Sequence, residues 1–168
     1  MGIIGVALGA AAAAISALTA LRLAPRFSSF RDVESNLHFF AEILWVNVAL
    51  LICFSVFLSA AIAYRNRPAL HKRLILLASL SFMPPAVTRI IDWPIWGFGN
   101  NAYFPLLCCL VGMIAALGLH DFAQRRAVHP VTLIGGSALA VLFAIGAFLM
   151  PATEIGRSVV YELYLLMR

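Results

Sequence analysis

Charge is what this sequence has least of. Of its 168 residues only 11% are Asp, Glu, Lys or Arg, whereas a soluble domain carries about 25%. Hydrophobic residues make up 63%, and the mean hydropathy is +0.97. A globule of 18.2 kDa has too little interior to hide that much apolar surface. The shortage of charge therefore excludes a soluble enzyme, a disordered tail and a secreted scaffold. Cysteine is scarce too: Cys53, Cys108 and Cys109 all fall within apolar runs, where they read as small packing residues rather than bridges. There is no metal-type cysteine pair, no phosphate-binding glycine loop and no nucleophile elbow in the sequence, so the common signatures of nucleotide binding and hydrolysis are missing. Acidic residues number 7 against 12 Lys and Arg, a formal net charge of +5. Those basic residues flank apolar stretches instead of building one polar surface, so nucleic acid is not the partner they imply.

Long apolar runs are what the chain has in excess. A spanning helix needs about 20 mostly apolar residues. The expected fold is all-α, a single integral membrane domain over residues 1–168. It is a polytopic bundle of five transmembrane helices near 2–21, 39–64, 74–90, 102–119 and 130–150. The third span is the shortest. Its uncharged run covers only Leu74 to Thr88, and snorkelling of Lys72 and Arg73 would lengthen it. Pro84 and Pro85 remove two backbone donors from its last turns and predict a kink, with Ser79, Ser81 or Thr88 as partners for the freed carbonyls. Residues 154–168 are too short and polar to span. Ile155, Val159, Leu163 and Leu166 recur there at helical spacing opposite Glu154, Arg157 and Ser158, which predicts an amphipathic helix in the membrane interface.

The first charge, Arg22, follows the first apolar run, so that run reads as a retained helix and not as a signal peptide. Its Gly5-x-x-x-Gly9 step, continued by Ala13, suits close packing against a second copy or another membrane subunit. Five spans place six Lys and Arg on each side, but one side gathers Arg65, Arg67, Lys72, Arg73, Arg125 and Arg126 into two short loops with Asp121 as its only acid. Dense basic loops mark the cytoplasm. This orients a bacterial inner-membrane protein with its N-terminus cytoplasmic and its C-terminus external.

Ionisable groups at membrane depth are the natural functional candidates. On the less basic side, His38 and Glu42 stand one turn apart on one face, with Trp45 a turn further, and Arg89 and Asp92 approach from the third span. This group either binds a cation and relays protons or forms a neutralised cap. On the basic side, His71, His120 and His129 open or close three helices, and Asp121 and Arg126 lie beside them. They are either haem or metal ligands, with Asp121 fixing an imidazole and Arg126 meeting a propionate, or ordinary interfacial histidines.

The run Arg67-Pro-Ala-Leu-His71-Lys72-Arg73-Leu74, reaching to Pro85 and Arg89, resembles a signature of a group of uncharacterised bacterial multi-pass membrane proteins. Arg126-Ala-Val-His129-Pro130 with Gly135-Gly136 resembles the start of that group's next helix, and His38 with Trp45 resembles its earlier His…Trp helix. The resemblance covers residues 37 to 145, implies a membrane helical bundle and carries no activity. It is also distantly similar to bundles that hold b-type haem between histidines on paired helices, which implies His71 with His129 or His120 as ligands. The primary expectation is a non-enzymatic inner-membrane protein that belongs to a membrane assembly, with the lipid bilayer and a protein subunit as partners. A b-type haem electron-transfer or quinone-linked module is the alternative. A small transporter or proton relay using His38, Glu42, Arg89 and Asp92 is the second. Reporter fusions after Arg67 and after Asp92 test the topology: the first is expected to report cytoplasm and the second the external side, and the reverse pattern would invert the assignment.

Overall fold

The computed structural model describes residues 33–84, 87–88 and 103–166, with the isolated residues 11 and 14. The predicted span 2–21 with Gly5, Gly9 and Ala13, and the pair Arg89 and Asp92, lie outside the described residues. Among the described residues the fold is all helical and has no strand. In chain order the helices are α1 (Val33–Ala63), α2 (Pro68–Ser81), α3 (Tyr103–Arg125), α4 (Pro130–Ala144) and α5 (Glu154–Leu166). A π-helical turn, Ile145–Leu149, and a last α-turn, Met150–Ala152, prolong α4. Among the described residues, three helices are long and apolar enough to cross a membrane: Leu37–Ala63, Tyr103–Gln124 and Pro130–Ala152. These fall within a few residues of the second, fourth and fifth predicted spans.

The predicted third span is a shorter helix followed by a break. Pro68 opens α2 at its first position, where its missing donor costs nothing. The helix stops at Ser81 after 14 residues, about 21 Å of rise. Pro84 has no N–H for the Leu80 carbonyl, so Met83 N–H takes it at 3.1 Å and a new turn follows, with Val87 N–H on Met83 O at 3.1 Å. None of the three hydroxyls expected to serve the freed carbonyls bonds Leu80 O; Ser79 bonds Ile75 O, Ser81 bonds Leu77 O and Thr88 bonds Pro84 O, each four residues back. The end of α2 is held instead by aromatic packing, Phe82 against Phe54 of α1 edge to face at 4.3 Å.

The described chain falls into two compact units. One is residues 52–143; the other comprises the residues up to 51 and those from 144 onward. In the 52–143 unit, Leu77, Leu106, Leu139 and Phe143 are fully buried. Two consecutive glycines of α4 set the helix spacing there. A Cβ on Gly135 would meet Leu77 Cδ1 at 2.6 Å and Phe57 Cε1 at 3.4 Å, and one on Gly136 would collide with Ile114 Cγ2 of α3. Gly135-Gly136 thus lets α1, α2 and α3 all approach α4 closely, the use small residues have inside membranes.

The other unit turns a corner around Pro151. A proline ring in a helix collides with the carbonyl four residues back. The widened π-turn accommodates it, with Met150 N–H bonded to Ile145 O rather than to the residue four back. Thr153 then leaves the helical region (φ −83°, ψ 147°) and caps α5, accepting from Gly156 N–H at 3.1 Å while donating to Met150 O at 2.8 Å. Along α5, Gly156 is buried, Val160 is buried with Phe40 and Ala41, and Leu163 packs against that cluster, while Ile155 is 73% exposed and Val159 is exposed. The apolar arc of α5 is therefore split between protein and surroundings. A Cβ on Gly156 would run into Met150 O, a backbone atom that cannot step aside. Gly156→Ala is expected to destabilise the protein by about 3 kcal/mol, read as a fall in melting temperature in detergent micelles.

Candidate functional site

Of the candidates His71, His120, Asp121, Arg126 and His129, Asp121 is the one at the centre of a polar cluster. α3 does not end at Leu119; it runs to Arg125, so Asp121 sits on the helix one turn before its end. Its side chain is 3% exposed and its partner Arg73, from α2, is 11% exposed. Arg73 Nη2 donates to Oδ1 at 2.6 Å and Nε to Oδ2 at 3.1 Å, a bidentate pair. Thr132 Oγ1, from the first turn of α4, donates to Oδ2 at 2.7 Å. The backbone N–H of His129 adds a fourth donor. A carboxylate offers about four lone-pair positions, and four donors meet this one. Arg73 also donates through Nη1 to Ala69 O at 2.7 Å, which fixes the guanidinium against its own helix. One side chain therefore joins α2, α3 and the start of α4.

The rim histidines have separate partners. His71 Nδ1 lies 2.8 Å from Ala61 O of α1; a carbonyl only accepts, so Nδ1 carries a proton, and in the neutral ring Nε2 carries the lone pair. His129 is the reverse: its Nδ1 accepts from Val131 N–H at 3.2 Å, capping α4 and leaving the proton on Nε2. His120 Nε2, on the exposed side of α3, lies 3.1 Å from Gln124 Nε2 of the same helix. Arg126 is exposed and left-handed, with φ 54°, and its N–H closes α3 onto Phe122 O at 2.7 Å.

The expected His38–Glu42 pair is present, Nδ1 to Oε1 at 3.1 Å along α1. The Trp45 indole N–H donates to Gly156 O at 3.0 Å, tying α1 to α5. Asn47 Nδ2 donates to Ile43 O at 2.7 Å, within its own helix. Among the described residues, no three His, Cys, Asp or Glu side chains gather closely enough to hold a metal ion. Cys53 is buried, while Cys108 and Cys109 are exposed.

Arg73 and Thr132 were absent from the candidates read from the sequence, where Arg73 counted as a loop charge and a snorkelling end of the third span. A signal was available: Asp121 is the only acid among the basic loops, and a lone acid amid so many cations has a partner. No known protein family, curated protein or solved structure matches this chain. Removing one member of a buried ion pair leaves the other uncompensated. Asp121→Ala is expected to cost about 3–5 kcal/mol and Thr132→Val about 1 kcal/mol, both measured by denaturant unfolding in micelles; equal effects would show that the hydroxyl matters as much as the charge.

Proposed function

We propose that this chain is a five-span inner-membrane protein that serves as a non-enzymatic subunit of a membrane assembly. In this reading, residues 2–21 and the broken helix near 74–90 complete the three apolar helices. The N-terminus is cytoplasmic, the C-terminus is external, and α5 lies in the outer interface with Ile155 and Val159 toward lipid. The observation that carries the reading is the use made of polar groups within the apolar helices. Asp121 joins three helices, the Trp45 indole joins two, His71 bonds a neighbouring helix carbonyl, and Asn47 bonds its own. The first three join helices, which is how a structural membrane subunit uses hydrogen bonds. Gly5, Gly9 and Ala13 supply the face for association. In mild detergent the native protein is expected to migrate as a complex larger than its 18.2 kDa monomer. Gly5→Leu with Gly9→Leu is expected to dissociate that complex, and a wild-type monomer would contradict the proposal.

A haem-binding reading has one observation in its favour. The His71 proton on Nδ1 leaves Nε2 as a lone-pair nitrogen, the tautomer a ligand imidazole needs. The second ligand is the difficulty, because the capping role of His129 places its proton on Nε2 and Asp121 already has four donors. The visible spectrum of protein purified from haem-replete cells separates the readings. No Soret band is expected, and one that is lost in His71→Ala would replace the subunit reading with a haem module.

A further inference from the structure

A groove of about 650 Å³ runs between α3 and α4. Its inner end is at Val111 and Ala140, its floor is lowered by Ala115 and Gly118, and its outer end is at Phe122 and Val128. Its lining is apolar but little of it is covered: Leu119 is 69% and Leu133 64% exposed. From Val111 to Phe122 the helix rises about 17 Å, which matches one leaflet of a hydrocarbon core about 30 Å thick. The outer end meets the short loop joining α3 to α4. Arg126 lies in that loop between Phe122 and Val128, and is anchored to Phe122 O. At φ 54° a helix terminus favours glycine. This chain instead places an exposed cation there, next to Arg125 in sequence. The carboxylate nearest in sequence, Asp121, is buried and neutralised by Arg73, so it does not repel an anion.

We propose that this groove seats an acyl chain of an anionic phospholipid, with the headgroup phosphate held at the loop by Arg126. Length, apolar lining and an exposed cation in the adjoining loop match the three parts of such a lipid, and basic pockets between helices at the membrane surface recognise anionic headgroups. The assignment goes beyond the subunit reading and rests only on the membrane-spanning character of α3 and α4.

Native mass spectrometry of the full chain in mild detergent, titrated with phosphatidylglycerol or phosphatidylcholine of equal chain length, tests it. The wild type is expected to bind phosphatidylglycerol about fivefold more tightly. Arg126→Gly is expected to bind both lipids equally while melting no lower in lipid-free detergent, since it relieves the left-handed backbone. Arg126→Lys is expected to keep the preference. Ala115→Trp, which fills the groove, is expected to weaken both lipids alike. Equal wild-type affinities, a preference that survives Arg126→Gly, full binding by Ala115→Trp, or a lipid-free dimer that Ala115→Trp dissociates would each overturn the proposal. The last result would make a second copy the occupant.

Discussion

The ion pair between Arg73 and Asp121 is the constraint on which the 52–143 unit depends. An isolated carboxylate cannot be left in an apolar environment, and neither can a guanidinium. Once α3 carries Asp121 inward of its last turn, α2 must bring Arg73 to it, and α4 must begin close enough for Thr132 to reach the same oxygen. The glycines at 135 and 136 make that closeness available, because any larger residue would strike Leu77 or Ile114. The polar pair specifies which helices meet, and the small residues set how near they come.

Residues 144–166 solve a different problem, that of turning a chain at the end of a span. Pro151 forbids a regular helix, the π-turn absorbs the extra width, and Thr153 starts α5 in a new direction. Gly156 is the residue around which the corner closes: its Cα faces the Met150 carbonyl, and its own carbonyl accepts the Trp45 indole. The corner leaves Ile155 and Val159 exposed beside a buried Val160, so α5 packs on protein along one edge.

Much of this architecture was legible in the sequence, because length and hydropathy alone define a spanning helix. The second, fourth and fifth predicted spans agree with the apolar helices to within a few residues, and the His38–Glu42 pair follows from helical periodicity. What composition could not convey is pairing between distant residues. Arg73 looked like one loop cation among several, and Asp121 looked like a helix end, because apolar length marks where a span can stop but not where the helix stops. The prolines were legible as a break, yet the carbonyl freed at Leu80 is satisfied by a tightened backbone turn, a local rearrangement no side-chain pattern announces. The role of Trp45 was hidden for the same reason: its acceptor is a backbone oxygen 111 residues away.

The account makes the buried polar cluster a means of joining helices. Replacing both members with apolar residues, Arg73→Leu with Asp121→Leu, tests that claim most directly, because hydrophobic isosteres of a buried ion pair commonly match or exceed its stability while single replacements do not. Unfolding of the single and double variants in micelles is the measurement. The account predicts that each single variant is strongly destabilised and that the double variant recovers wild-type stability. A double variant as unstable as the worse single would contradict it.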